Sequence, residues 1–95
     1  MTEAEIHREE SDTKGRYWIE MDGHVAEMTY SRADENTIII DHTGVPDAFR
    51  GQGIAKKLVE RGIADARAEG RKIVPLCSYV KAQFDRHPEW ADLRA

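Results

Sequence analysis

The chain has little of what builds disulfide-bonded, zinc-binding or membrane-spanning proteins. It holds a single cysteine in 95 residues, so no intrachain disulfide can form and no metal site can be built on paired thiolates. No apolar run approaches the roughly 18–20 residues that a membrane helix needs, and the N-terminus is polar where a signal peptide would be apolar. We therefore expect a cytoplasmic protein that binds no metal and no membrane.

An excess of positive charge is also missing. Lys and Arg number 14 against 18 Asp and Glu, which gives a net charge of −4 at pH 7 and argues against a general nucleic-acid binder. The three prolines and seven glycines are too few to suggest disorder, and the apolar content of 40% is ordinary for a globular domain. At this length we expect one domain over residues 1–95.

Hydrophobic patterns predict an antiparallel meander in the first half of the chain. Asp22-Gly23 is typical of a two-residue hairpin turn, and the residues on either side of it alternate between apolar and polar. A second turn at 32–36 leads into a β-branched run that suits a central strand. The predicted strands are Ile6–Glu10, Arg16–Met21, His24–Ser31 and Thr37–Val45.

The second half of the chain predicts a helix between two parallel strands. Apolar residues recur at helical spacing from about Gly51 to Glu69, and Gly70 suits the C-terminal end of that helix. A buried strand over Lys72–Cys77 and a short helix over Tyr79–Arg86 follow. Because a long helix separates the two strands, we expect them to be parallel. The predicted fold class is α/β, with a mixed sheet of three or four antiparallel strands continued by this parallel pair.

The stretch Arg50-Gly51-Gln52-Gly53-Ile54-Ala55 places two glycines between the end of a predicted strand and the start of the long helix. The first N–H groups of a helix lack intrahelical partners, and glycine lets a phosphate approach them closely. A Rossmann site needs a third glycine in register, and a P-loop needs Gly-Lys-Ser/Thr; neither is present. The stretch does resemble the Arg/Gln-x-x-Gly-x-Gly/Ala signature of the GCN5-related N-acetyltransferases, with Arg50, Gly53 and Ala55 in its defined positions.

The resemblance extends from about Tyr17 to Trp90 and is most specific from Val45 to Cys77. Over this range the chain is similar to the very small, single-domain members of that superfamily, of the YjdJ-like type. The resemblance implies acetyl-CoA as co-substrate, with its pyrophosphate on the glycine loop and its pantetheine arm beside the preceding strand. The implied cofactor-binding residues are Val45, Arg50, Gly51, Gln52, Gly53, Ile54, Ala55, Lys56 and Tyr79.

Some of these side chains also have simpler interpretations. Arg50 can clamp a phosphate through its guanidinium, or it can be a solvated surface arginine. Lys56 either contacts the ribose phosphate of CoA or is only a solvated lysine on an exposed helix face. Tyr79 borders the acyl group or belongs to the core.

Cys77 and His42 are the predicted catalytic residues. Both follow apolar strand runs, so we expect them to be neighbours at the carboxyl edge of the parallel pair. The resemblance implies that a cysteine at this position lies beside the acyl-CoA thioester and accepts the acyl group; otherwise Cys77 is a small buried hydrophobe. Strict alternation puts His42 on the face of Ile38 and Ile40, either as a core histidine or as a base for an amine or for Cys77.

Three functions remain open from the sequence. The first is an N-acyltransferase that moves acetyl from acetyl-CoA to an amine, either by direct attack or through acetyl-Cys77. The second is a non-catalytic acyl-CoA binding or sensing module, because so short a chain has little material for an acceptor pocket. The third is a structural or partner-binding domain whose glycine loop is only a tight turn. The sequence predicts neither which amine is used nor the oligomeric state.

Overall fold

A computed structural model describes residues 5–95 and has helices packed on a five-stranded sheet. The strands follow one another in the order β1-β2-β3-β4-β5, with β1 to β4 antiparallel and β5 parallel to β4. This confirms the predicted α/β class and the parallel pair. The strands are β1 His7–Glu10, β2 Lys14–Met21, β3 His24–Asp34, β4 Thr37–Gly44 and β5 Lys72–Pro75, and the helices are α1 Ile54–Glu69 and α2 Ser78–Arg86.

Positive backbone φ angles fix the turns and the helix ends. Asp22 and Gly23 have φ of 51° and 78°, as the predicted hairpin turn requires. Gly70 ends α1 with a φ of 68°, as predicted. The start of α1 was predicted about three residues too early, because Gly51 and Gly53 take left-handed φ angles of 79° and 66° that a right-handed helix cannot contain.

Five strand ends differ from the prediction: β1 starts one residue later, β2 starts two residues earlier, β4 ends one residue earlier, and the ends of β3 and β5 also move. β3 continues to Asp34, which pairs with Thr37, so the turn that follows β3 is shorter than the predicted segment 32–36. β5 ends at Pro75 and does not reach Cys77, which is the N-cap of α2. The Cys77 N–H still donates to the Ile40 carbonyl at 2.9 Å, so the chain stays beside β4 up to that point.

The hydrophobic core lies on one face of the sheet, which we call the core face. In β3 the predicted alternation is confirmed, since Ala26, Met28 and Tyr30 are buried. Both helices contribute to the same core, α1 through residues such as Leu58 and α2 through Val80 and Phe84, as predicted for α2. Trp90 also joins this core, from an unpredicted 3₁₀ helix over Pro88–Leu93.

The opposite face of the sheet, which we call the open face, carries no buried residue on the three central strands. Polar and charged side chains dominate it, and Trp18 is half-buried beneath the Arg16 guanidinium, 4.7 Å from the ring centre. The open-face residues of β2, β3 and β4 include Arg16, Trp18, Val25, Glu27, Thr29, Ser31 and Ile39.

A β-bulge in β4 changes which side chains point to each face. Ile40 pairs with Tyr30, but the next pair along β3 joins Thr29 to His42, so Asp41 is an extra residue with no partner of its own. The carboxylate of Asp41 accepts hydrogen bonds from the hydroxyls of Thr29 (2.6 Å) and Ser31 (3.1 Å) on the open face. The alternation of β4 therefore shifts by one residue after Ile40.

In the described part of the chain no helix is long and apolar enough to cross a membrane. Within residues 5–95 no group of three or more His, Cys, Asp or Glu side chains converges so that it could hold a metal ion.

Candidate functional site

Two helix N-termini lie at one edge of the sheet. Because β4 and β5 are parallel, their carboxyl ends, Gly44 and Pro75, are at the same edge. The chain leaving β4 passes through the glycine loop into α1, and the chain leaving β5 passes through Cys77 into α2. This edge carries the partial positive charge of both helix dipoles, as expected for a binding site in an open α/β sheet.

The glycine loop is exposed and open to an approaching ligand. No side chain caps α1 at Gly53, so the first N–H groups of the helix have no side-chain partner there. A Cβ atom at Gly51 or at Gly53 would meet no other atom within 4 Å. The glycines are therefore required by their left-handed φ angles, and the space above the loop is free.

The remaining loop residues divide by what their side chains do. The Ile54 side chain belongs to the core, and the residue is only 3% exposed. Ile54 can therefore contact a ligand through its backbone N–H group but not through its side chain. Gln52 donates a hydrogen bond from Nε2 to the Ala48 carbonyl at 3.3 Å, which folds its side chain back onto the loop. Ala55 is half-buried. The loop thus offers backbone groups more than side chains.

Arg50 and Lys56 supply positive charge beside the loop. The Arg50 side chain is 81% exposed and lies 3.3 Å from the Asp47 carboxylate, itself 93% exposed. An ion pair this exposed contributes little to stability. The guanidinium can therefore leave Asp47 and bind a phosphate at a small cost in free energy. Lys56 and the adjacent Lys57 are exposed on the first turn of α1.

Cys77 is half-buried at the N-cap of α2, and its sulfur lies 3.5 Å from the Thr43 hydroxyl oxygen. The Cys77 S–H donates to the Thr43 hydroxyl oxygen. Burial raises the pKa of the Cys77 thiol, but hydrogen bonds with the Thr43 hydroxyl and with the backbone of Val80, Tyr79 and Thr43 together lower that pKa by more. The thiolate fraction at neutral pH is therefore higher than for an ordinary cysteine.

His42 does not share the face of Ile38 and Ile40, and that prediction was wrong. The bulge at Asp41 pairs His42 with Thr29, and His42 is exposed on the open face. Its Nε2 lies 3.0 Å from the point where a Cβ on Gly44 would stand. Cys77 contacts a core-face residue, so the register puts His42 and Cys77 on opposite faces of the sheet.

Thr43, and not His42, is the β4 residue that lies beside Cys77. It pairs with the buried Met28, which puts it on the core face, where it meets Cys77. Sequence reasoning missed Thr43 because strict alternation directs it outward. No signal within the strand marks the bulge, because it is defined by the pairing of β4 with β3.

Val45 and Tyr79 flank this edge of the sheet. Both are half-buried and pack against the core. Burial raises the pKa of the Tyr79 phenol, Arg86 opposes the shift, and Glu60 of α1 adds to it.

A separate concavity of about 540 Å³ lies on the β1–β4 part of the sheet, next to His42, since Thr29, which pairs with His42, and Asp41, which precedes it, are among the lining residues. Its lining includes Glu9, Lys14, Arg16 and Asp41, and it contains none of the predicted site residues.

Known proteins share both the sequence pattern and the fold. Residues 16–93 match the family model described as GCN5-related N-acetyl-transferase. The chain is similar to Protein NATD1 of Xenopus tropicalis, with 35% identity over 63 residues that cover 66% of this chain and 58% of the frog protein. It is 30% identical to Protein NATD1 of Danio rerio over 90% of this chain and 82% of the fish protein.

A solved structure extends the likeness to the whole fold. The NMR structure of a GCN5-like protein from Staphylococcus aureus superimposes with a TM-score of 0.74 and 35% identity, covering 100% of this chain and 91% of the other. The match to the family model spans the sheet from β2 onward, both helices and the glycine loop. The chain therefore belongs to the family of GCN5-related N-acetyltransferases.

Proposed function

We propose that this protein binds acetyl-CoA at the glycine loop and transfers the acetyl group to an amine. One observation carries the proposal: the open, uncapped start of α1 and a thiol with a lowered pKa lie at the same edge of the β4–β5 pair. Family membership supports acetyl transfer in general. The acetyl-CoA and the amine are our inference.

The pyrophosphate of CoA binds the N–H groups from Gly51 to Ala55, with Arg50 pairing to a phosphate oxygen. The free space over Gly51 and Gly53 and the uncapped start of α1 support this assignment. Lys56 pairs with the ribose phosphate, because it is exposed within the first turn of the same helix. Val45 and Tyr79 border the pantetheine arm on its way to the thioester.

Cys77 is the proposed acyl acceptor. Its thiolate attacks the thioester carbonyl carbon, a new C–S bond forms, and the C–S bond to CoA breaks. CoA leaves as a thiolate and takes a proton from water. The amine nitrogen then attacks acetyl-Cys77, the Cys77 thiolate leaves, and the proton of the amine passes to a base. In the competing route the amine attacks acetyl-CoA directly and Cys77 is not acylated.

His42 acts in this proposal on the amine and not on Cys77. The register puts it on the open face, opposite to Cys77, so it can take a proton only from an amine that is still on that side of the sheet, before the amine reaches acetyl-Cys77. Histidine is the side chain that most often serves as a general base in such a proton transfer.

A second function, an acyl-CoA sensor without transfer, is favoured by one observation. Thr29 is only half-buried and His42 is exposed, so in the described part of the chain no helix or strand packs over them on the open face. A sensor needs only the CoA site.

The test is mass spectrometry of the intact protein with acetyl-CoA, followed by a thiol-release assay across polyamines, lysine peptides and amino sugars. We expect one acetyl group on the wild-type protein in the absence of amine, removable by hydroxylamine as a thioester is. Cys77→Ala removes the adduct and the turnover. His42→Gln leaves the adduct rate unchanged and slows discharge to the amine, by about 10²-fold or more if it is the general base.

Heat-denatured protein provides the background rate. CoA binding without turnover on any amine class would replace the enzyme with the sensor. Full turnover by Cys77→Ala without an adduct would replace the acetyl-Cys77 route with direct attack.

A further inference from the structure

We infer that Thr43 is the positioning residue of Cys77, fixing the sulfur at the start of α2 and donating a hydrogen bond to it once the thiol has lost its proton. This inference rests on the proposed function, since it assigns a partner to the proposed acyl acceptor. It adds a residue that the glycine-loop signature does not contain.

The geometry brings together two residues that are 34 positions apart in sequence. Thr43 Oγ1 and Cys77 Sγ are separated by 3.5 Å, and both side chains are half-buried. The contact exists because the bulge at Asp41 turns Thr43 to the core face. The same bulge turns His42 away, so Thr43 is the β4 side chain that the sulfur meets.

A hydroxyl is suited to both protonation states of the sulfur. The Cys77 S–H can donate to the Thr43 oxygen, and after the proton is lost the hydroxyl can rotate and donate to the thiolate. A donor to the charged form stabilises that form. The strongest effects that favour the thiolate all come from uncharged groups, namely this hydroxyl and the backbone. Burial, which raises the pKa of Cys77, is the largest single effect, and the effects that oppose it come from hydrogen bonds and not from a neighbouring ionising side chain.

The contact also limits where the sulfur can point. Cys77 stands between the end of β5 and the first turn of α2, where its backbone N–H is held by Ile40. Thr43 then holds the sulfur on the β4 side. An acyl group arriving at the carboxyl edge of β4 would thus meet a sulfur in a defined position.

The test measures the reactivity of the thiol without CoA. Cys77 is the sole cysteine, so alkylation by iodoacetamide reports on it alone. Alkylation rates are measured against pH for wild type, Thr43→Val and Thr43→Ser, with Thr37→Val in the same strand as the matched control. We expect the midpoint of Thr43→Val to rise by about one pH unit, so that alkylation below the midpoint is about tenfold slower. Thr43→Ser and Thr37→Val should stay at the wild-type midpoint.

The inference would be overturned if the alkylation midpoint of Thr43→Val equalled that of the wild type. It would also be overturned if the midpoint of Thr43→Ser rose as much as that of Thr43→Val. If Thr43→Val does not fold, Thr43→Ala carries the same expectation. A second measurement follows acetyl-Cys77 formation at pH 7 and near pH 9.5: Thr43→Val should be slow at pH 7 and recover at high pH, whereas a displaced sulfur stays slow at both. Absence of any acetyl adduct in wild type would refute the proposed function, while the alkylation midpoints would still decide the role of Thr43.

Discussion

Gly53 and Gly70 stand at opposite ends of α1 with nearly equal φ angles of 66° and 68°. At both, a side chain would meet no atom within 4 Å, so the backbone angle alone requires glycine. Only Gly53 stands where a ligand is proposed to bind. This pair of residues separates a loss of binding from a loss of stability.

We predict that Gly53→Val abolishes CoA binding and Gly70→Val does not. Each substitution should cost about 1–2 kcal/mol of stability, because a β-branched residue is strained in the left-handed region. The measurements are calorimetric titration with CoA and urea unfolding of each protein. Equal CoA affinity in the two folded variants would place the pyrophosphate away from the loop.

At the scale of the strands, the β2–β3 pairing depends on a glycine facing a tyrosine. Gly15 pairs with Tyr30, and a Cβ on Gly15 would overlap the Tyr30 ring. The ring lies across the space that the missing side chain leaves, and its hydroxyl donates to Glu10 at 2.6 Å. Gly15 therefore links β1, β2 and β3 through a close approach, although its backbone angles are ordinary for a strand.

We predict that Gly15→Ala destabilises the protein by roughly 1–3 kcal/mol, the usual cost of overpacking. Gly44→Ala is the matched strand variant, since its Cβ would stand 3.0 Å from the tip of the exposed His42 ring, which can move aside. We expect Gly44→Ala to change stability by less than about 0.5 kcal/mol. Urea midpoints measured by fluorescence check both values, and equal midpoints would contradict the packing of Tyr30 on Gly15.

At the scale of the whole molecule, Glu10 joins the N-terminal strand to the segment between α1 and β5. Its carboxylate accepts from Arg71 at 2.6 Å, from Tyr30 at 2.6 Å and from Arg8 at 3.2 Å. The Arg71 hydrogen bond is the main reason that the pKa of Glu10 falls to about 2, with burial opposing it and Tyr30 assisting. Residues more than sixty positions apart are thus tied by one carboxylate.

The sign of the pH effect follows from this lowered pKa. A carboxyl whose pKa is lower in the folded state stabilises the protein above its unfolded pKa of about 4.5 and loses that contribution as the pH falls toward 2. Solvent screens this partly exposed group, so we expect Glu10→Gln to cost on the order of 1 kcal/mol at pH 7, or about 4–8 °C in Tm. The difference from wild type should shrink between pH 4.5 and pH 2.

The control is Glu9→Gln, which changes the neighbouring exposed carboxylate on the opposite face of β1. Thermal unfolding at several pH values should show little change for Glu9→Gln. A pH-independent loss in Glu10→Gln would mean that the network does not depend on the ionised carboxylate.

The sequence by itself determined most of the strands and helices and the position of the glycine loop. Asp22-Gly23 specifies a hairpin, Gly70 ends α1, and the alternation of β3 identifies its buried face, because each depends on φ preferences or on periodicity within a few residues. The glycines of the loop were found for the same reason. A long helix between two strands also fixed their parallel relation, since no shorter connection allows it.

Only the tertiary structure decided which side chains meet. The extra residue at Asp41 is defined by pairing with β3, so the exchange of His42 for Thr43 on the core face depends on strand register and not on local periodicity. Cys77 likewise obtains its hydroxyl partner from a strand 34 residues earlier. Such contacts join segments that are distant in the chain, so the pattern of residues within one segment does not predict them.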